Sequence, residues 1–428
     1  MASTTFTFAH LADAHVGAWS RDPAVRQALR ESVLRALALV EERDCQFLLI
    51  SGDLFHTPVP EPAEVAPVAA ALRRLVDRGR RVYVIYGSHD YVAHRTSWLD
   101  VLAETGLFLR SAPEPVRVEG TRWTLPFLVD PGTGAAIGGI SGRAHGLDRT
   151  YFAAVDSEAL RNHDGFRVFQ FHAAIDEYLP PGLREHIRGI SRADLPRGLD
   201  YYAGGHIHYT YVGEGPEGGL LVNPGAVFGT SVTDLENGAQ GKTQQGVVIV
   251  RVEDGVPHPE FVRTAPIDSI QVFDVDVSGK TAEEAKEAVS EQVAHHASVG
   301  KLLFPRVHGT LSDGSVGTLG LRESREEADR QGAASVHWDL TGVAGAPQGE
   351  TVEPGSEGQL EEATLARLVA TVGDRLPELS GVAGLGRLRE LLRELGTARS
   401  DGEARADYEA ARLRSSLALL GVPESDEP

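Results

Sequence analysis

"VYVIYGSHD", residues 82–90, decides how this chain is read. An apolar run from Val82 to Tyr86 ends at a glycine, and Ser88, His89 and Asp90 follow at once. Such a run predicts a buried strand, and the polar triplet at its end predicts a site. Two runs upstream have the same form: "TFTFAHLAD" (5–13) alternates as a strand does, and "CQFLLIS" (45–51) is short and apolar. Between them, "DPAVRQALRESVLRALALVEER" (22–43) carries apolar residues three and four apart, the spacing of a helix buried on one face. A second helix is expected over Glu61–Arg78. Strand, helix, strand, helix, strand implies a parallel sheet covered by helices, an α/β fold.

Beyond Arg110 the pattern changes to shorter strands between glycine-rich turns: "TRWTLPFLV" (121–129), "RVFQFH" (167–172), "DYYAGG" (200–205) and "GVVIVRVEDG" (246–255). These predict a second, more antiparallel sheet packed on the first. A boundary is expected at "RTAPIDS" (263–269), which gives a first domain over residues 1–265. Residues 266–340 then read as a small αβ domain, with a helix over "TAEEAKEAVSEQVAHHA" between strands "IQVFDVDVSG" and "KLLFPRVHGTL". "TGVAGAPQGETVEPGSEG" (341–358) reads as a flexible linker, and residues 359–428 as a helical region.

Composition narrows the chemistry. With 41 basic and 61 acidic residues the net charge is -20, which argues against a surface that binds polyanions as a whole. Bound divalent cations could still supply positive charge locally. The single cysteine, Cys45, excludes an intrachain disulfide and a cysteine-based zinc site. No segment approaches the ~20 apolar residues of a membrane span. The N-terminus has no basic stretch leading into an apolar core, so a cytoplasmic location is expected.

Five motifs stand at predicted strand ends: "LADAH" with Asp13 and His15, "SGDLFH" with Asp53 and His56, "GSHD" with Ser88, His89 and Asp90, "FQFH" with His172, and "GGHIH" with His206 and His208. Open α/β sheets place active sites on loops at the carboxyl ends of strands, and mixed Asp/His sets suit manganese, iron or zinc. Asp13/His15 and His206/His208 are expected to converge where extended backbone breaks into a loop, helped at the second pair by Gly204 and Gly205. His10, His94, His145, His163 and His186 read instead as surface or hydrogen-bonded histidines.

In that order these motifs resemble the calcineurin-like metallophosphoesterases, and within them the DNA double-strand-break repair nucleases. "HLADAHVG", "SGDLFH" and "YYAGGHIHYTYV" carry the likeness. The resemblance implies a two-sheet sandwich flanked by helices and two divalent cations, with manganese the expected metal. Asp13, His15 and His208 would hold the first cation. His172 and His206 would hold the second, with Ser88 where the family usually has asparagine, and Asp53 would bridge both. A serine hydroxyl on so short an arm is expected to reach the cation only through a water. His89 would face the phosphate, Asp90 would orient His89, and His56 would stand near the leaving group.

The resemblance further implies a DNA exonuclease, with single-strand endonuclease activity as an extension, acting at double-strand ends beside an ABC-type coiled-coil ATPase. Residues 266–340 would be a capping domain, with Arg306 and His308 on its strand as DNA contacts. Residues 359–428 would dock the ATPase, or simply be core or dimer helices. "TSWLDVLAETGLFL" (96–109) resembles the family's homodimer segment, with a packed core helix as the other reading. Two rival functions stay open: a phosphoesterase for small nucleotides or phosphomonoesters, and a DNA-binding scaffold with a metal site weakened at Ser88.

Overall fold

The computed structural model describes residues 5–90, 96–112, 116–117, 123–142, 152, 155–185, 187–345, 364–365, 369, 381–397 and 405–420. His94, His145 and His186 lie outside them, as does most of the expected linker. Strand Phe6–Leu11 lies at the centre of a six-stranded sheet. Phe47–Ser51, Arg81–Ile85 and Leu109–Arg110 follow it in parallel on one side. The intervening helices, Pro23–Glu42 and Pro62–Asp77, are the two the periodicity predicts. Asp22 caps the first by accepting from the Val25 amide at 3.2 Å, and Pro23 occupies the opening turn, where a missing amide hydrogen is no loss.

Period-two alternation sorts the strand side chains. Ala9, Leu11, Leu48 and Ile50 face the helices. Phe6, Phe8, Phe47, Leu49 and Tyr83 face a second six-stranded sheet, where they meet Ile137, Val168, Tyr201 and Val222. Phe8 stacks on Phe47 at 4.9 Å and meets Tyr201 edge-on at 5.0 Å. Each such ring contributes about 1.5–3 kcal/mol by leaving water. His10 shares the face of Phe6 and Phe8 and is fully buried. Its ring bonds to the Tyr201 hydroxyl and the Ser51 hydroxyl, both at 3.0 Å, so it ties the sheets together and stands outside the site.

The second sheet differs from the expectation. Its four central strands, Leu220–Asn223, Tyr201–Ala203, Arg167–Phe171 and Ala136–Ile140, are mutually parallel. Only the edges, Tyr211–Glu214 and Phe127–Val129, run antiparallel. Gly246–Glu253 belongs to the first sheet, antiparallel to Phe6–Leu11. It forms a hairpin with Val256–Arg263 through Asp254 and Gly255, both left-handed, which is the turn chemistry that joins adjacent antiparallel strands.

Strands Ile270–Asp276, Leu302–Thr310, Ser335–Val336 and Asp339–Ala344 build a small third sheet under helices Ala282–His296 and Leu321–Arg330, around Val275, Val289, Val293, Leu303 and Val307. The turn at 263–269 separates two sheets but not two compact units, because Ile270, Leu302 and Phe304 enter the core of the first sheet's helices. Met1–Ala346 is one unit and Pro347–Pro428 a second. The expected linker starts too early, since strand Asp339–Ala344 runs into it and Gly342–Ala344 pair with His308–Thr310. The second unit includes helices Gly381–Gly396 and Arg405–Leu419. No helix among the described residues is long and apolar enough to cross a membrane.

A chain ending at Ala346 is therefore expected to keep the near-ultraviolet circular dichroism and cooperative melting of the first unit, since its core closes on itself. Aggregation of that truncated chain, with no cooperative transition, would show that residues 347–428 complete the core.

Candidate metal centre

The site forms where the strands stop being strands. Phe6–Leu11 ends two residues before Asp13, and the backbone then passes through the left-handed region at Asp13 (φ 51°) and His15 (φ 45°). Asp53 (φ 52°) and His206 (φ 92°) do the same after their own strands. Left-handed backbone costs a non-glycine residue roughly 1–2 kcal/mol, and it is held by hydrogen bonds between the loops. The Asp13 amide donates to Gly52 O at 3.1 Å, His15 to Asp53 O at 2.9 Å, and His56 back to Val16 O at 3.0 Å. This break lets Asp13 and His15 turn toward one cluster. Gly87 is needed for closeness: a Cβ there would lie 2.0 Å from Asp53 Oδ1.

Asp53 is the hub. Its Oδ2 lies 3.2 Å from His172 Nε2 and 3.6 Å from His15 Nε2, and accepts from the Ser88 hydroxyl at 3.3 Å. Its Oδ1 accepts from the His89 amide at 2.8 Å. Asp13 accepts from the His206 amide at 2.9 Å and lies 3.9 Å from His15 Nε2. His15 and His208 bring their Nε2 atoms to 3.2 Å. Asp13, His15 and His208 form one set of converging donor atoms, and Asp13, Asp53 and His172 another.

Tautomers follow from the partners. His172 Nδ1 faces the Ser51 carbonyl at 2.9 Å, and a carbonyl only accepts, so Nδ1 carries the hydrogen. The neutral ring then points the Nε2 lone pair at a carboxylate oxygen, an arrangement that requires a proton or a cation between them. His208 Nδ1 faces Asp234 Oδ2 at 2.9 Å and leaves Nε2 for the cluster in the same way. Buried His15 Nδ1 and His172 Nε2 have no hydrogen-bond partner. Two carboxylates and several imidazoles, with lone pairs aimed inward, fit a divalent cation pair of the manganese, iron or zinc class.

Proton affinities reflect the same crowding. Burial pushes Asp13 up to about 6, against the opposing influence of His172 and His208. Burial would raise Asp53 too, but His172 and His15 hold it well below the usual carboxylate range. Burial lowers His172, yet Asp53 and Asp13 outweigh it and raise the ring to about 10. His208 is raised to about 9 because Asp234 overcomes burial. Burial lowers His206 to about 4 and takes His15 well below its ordinary value.

The structure brings together all the predicted motif residues, but alters two roles. Asp90 does not orient His89: its carboxylate accepts from the amides of Leu54, Phe55 and Gly87 at 3.1–3.2 Å and so locks the Asp53 and Ser88 loops together. His89 is oriented instead by the His56 carbonyl, 2.8 Å from its Nδ1, and its ring stacks on His56 at 5.1 Å. Arg306, expected as a DNA contact, is paired within the protein. Its guanidinium is paired with Glu236 at 2.7 and 3.0 Å and with Asp274 at 3.0 and 3.1 Å. His308 is exposed, 3.8 Å from Asp276. His206 stands beside His172, ring centroids 5.0 Å apart.

Sequence reading missed Asp234, which holds His208, and Asn223, which donates to the carbonyls of Ile207 and Tyr209 and braces the His206–His208 turn. The one signal for Asp234 is the Ser231-x-x-Asp234 capping box, which points to a helix start and not to a site.

Residues 6–210 match the calcineurin-like phosphoesterase family. The DNA double-strand break repair protein Mre11 of Archaeoglobus fulgidus is 25% identical over 298 residues, covering 64% of this chain and 62% of that protein. The Methanopyrus kandleri protein of the same name is 26% identical over 288 residues, 64% of this chain and 60% of its own. That of Thermoplasma acidophilum is 26% identical over 308 residues, 71% and 77%. The chain thus spans about six tenths of the length of the first two relatives. Residues 6–210 are thus similar to the calcineurin-like phosphoesterases, a family that uses divalent metal ions, and the chain is similar to DNA double-strand break repair proteins.

Proposed function

We propose that this protein is a manganese-dependent nuclease that hydrolyses phosphodiesters at DNA double-strand ends, chiefly as an exonuclease. The observation that carries this reading is the His89 ring. It is exposed, stacked on His56, and 4.8 Å from the buried His15 ring, so it stands between the metal cluster and solvent, where a phosphodiester must approach. Asp13, His15 and His208 would hold one cation, His172, His206 and Ser88 the other, with Asp53 between them. When bound, such a pair neutralises the phosphodiester and lowers the pKa of an attacking water. His89 has its Nδ1 hydrogen directed at the His56 carbonyl, so in the imidazolium form it is the Nε2 proton that would pass to the departing sugar oxygen, leaving the neutral ring still bonded through Nδ1.

The relatives' role in double-strand break repair supports DNA as substrate. An ABC-type coiled-coil ATPase is the proposed partner of residues 359–428, supported by exposed Leu392, Leu395 and Leu413 on the two C-terminal helices. A homodimer through the Trp98–Glu104 helix is supported by exposed Val101 and Leu109. The pairing of Arg306 within the protein favours the rival reading, a small phosphoester substrate, and substrate choice separates the two. With manganese, the protein is expected to cleave a labelled duplex as well as bis-p-nitrophenyl phosphate. Cleavage of the small ester alone would overturn the nuclease reading. His89→Ala is expected to lower turnover by ~10²–10⁴-fold with manganese content unchanged. Loss of metal in that variant would make His89 a ligand.

Ser88 tests the second cation position. Its hydroxyl already donates to Asp53 Oδ2, and it is an amide group shorter than asparagine. Ser88→Asn is expected to tighten the weaker of two manganese sites by at least about tenfold, the scale of losing one supporting contact, and to shift activity to lower manganese. Two equally tight wild-type sites, unchanged by the substitution, would show that serine is a full ligand.

A further inference from the structure

We infer that Arg306 is a positioning residue for the metal centre, acting through helix Val232–Ala239 on Asp234 and, through Asp234, on His208. The inference rests on the reading of His208 as a metal ligand. It begins at the ring. His208 presents Nε2 to His15 and Asp13 only while Nδ1 is held by Asp234 Oδ2 at 2.9 Å. That same oxygen accepts the amides of Thr230 at 2.9 Å and Ser231 at 3.1 Å, so Asp234 cannot turn without its helix turning. Rotation of the carboxylate by one rotamer would break all three bonds at once.

The helix cannot fix its own position. It has eight residues, two turns, far below the length at which an isolated helix is stable. Its place is set by what it docks on. On one side, Leu235 is fully buried in the main core, and buried Gln245 donates to Asp234 O at 2.9 Å. On the other, Glu236 takes the paired bonds of Arg306, 2.7 and 3.0 Å. Glu236 lies two residues after Asp234, so the two carboxylates leave opposite faces of the same short helix. Arg306 sits on strand Leu302–Thr310 of the third sheet and holds Asp274 of the neighbouring strand with its remaining donors. Without the guanidinium, Glu236 and Asp274 face each other across the seam as like charges, and the helix is pushed away from the sheet.

The loop preceding the helix is tied to the same sheet by a second route. Trp19, four residues after His15, donates to Gly229 O at 3.0 Å and packs edge-on against Phe304 and His337 of the third sheet. The third sheet therefore braces the segment 229–236 at both ends, and His208 reads its position through one hydrogen bond. An arginine that merely glued two parts together would change their stability. An arginine that positions the ligand changes the affinity of one cation.

The test is a calorimetric manganese titration of the full chain, with thermal melting of the metal-free protein beside it. Arg306→Met is expected to weaken one of the two sites about three- to tenfold, within the range of coupling through packed networks, and to leave the other unchanged. Asp234→Asn is expected to weaken that same site by about 10–100-fold. The double variant should be no weaker than Asp234→Asn alone, because both act along one path. Glu236→Ala, which removes the helix end of the pair and keeps the Arg306–Asp274 tie, should weaken the same site and covers the case in which Arg306→Met fails to fold. A lower melting temperature with both manganese affinities within twofold of wild type would overturn the inference, as would additive losses in the double variant. A wild-type chain that binds no manganese would overturn the metal reading itself, and the inference with it.

Discussion

A buried negative charge at Asp53 constrains everything around it. Both oxygens are enclosed by three loops, and a carboxylate removed from water costs several kcal/mol unless its lone pairs are met. The Ser88 hydroxyl and the His89 amide meet part of that demand, and His172 faces the rest. Asp13 lies in the same cluster and Asp90 directly behind it, and burial raises these two, to about 6 and about 7, while Asp53 is held low. Three neighbouring buried carboxylates cannot all keep their charge cheaply in the protein alone. The protons that His172 and His208 retain in that state occupy the positions that cations would take, so the site is built for positive charge of one kind or the other.

The same constraint explains the backbone. Loops after three parallel strands must bring polar side chains inward over a distance too short for regular extended chain, and left-handed residues at Asp13, His15 and Asp53 accomplish the turn. Their strain is offset by the bonds that zip the Asp13 and Asp53 loops together and by Asp90, which accepts three amides from two loops. Asp90 thus serves the site by holding its frame. Loss of that carboxylate would leave three buried amides unbonded, a larger disturbance than loss of a partner for one exposed imidazole.

Much of this was legible in the sequence because ligands of this kind must sit at strand ends, and strand ends are marked by apolar runs that stop. Asp13, His15, Asp53, Ser88, His89, His172, His206 and His208 all follow such runs and all converge. What was not legible depends on separation. Asp234 lies 26 residues beyond His208 and looks like an ordinary helix cap. Arg306 meets a glutamate 70 residues away, and nothing local distinguishes a basic residue paired inside the protein from one left to bind a phosphate. Asp90 was assigned to its neighbour His89 because adjacency is all a sequence offers, whereas its amides come from residues 35 and 36 positions away and from Gly87. Strand direction in the second sheet failed for a related reason: short strands between glycine-rich turns suit either hairpins or crossovers, and only pairing partners decide.

The acidic surface and the proposed polyanionic substrate are compatible on physical grounds. The net charge of -20 is spread over 428 residues. At physiological ionic strength charges more than roughly 8 Å apart in water are largely screened from each other. What a phosphodiester meets at the site is the local sum. Two divalent cations carry twice the charge of Asp13 and Asp53 together, and the surrounding donors are neutral imidazoles once their inward protons are displaced. Asp234 behind His208 and Asp90 behind Asp53 take back part of that excess, so the cations' charge would be felt chiefly on the open side of the cluster, where a phosphate approaches. Binding would then be governed by the metal-loaded site and its immediate rim, where exposed His89 and half-buried His56 stand, and affinity for DNA would fall with metal removal far more steeply than with loss of any single surface arginine.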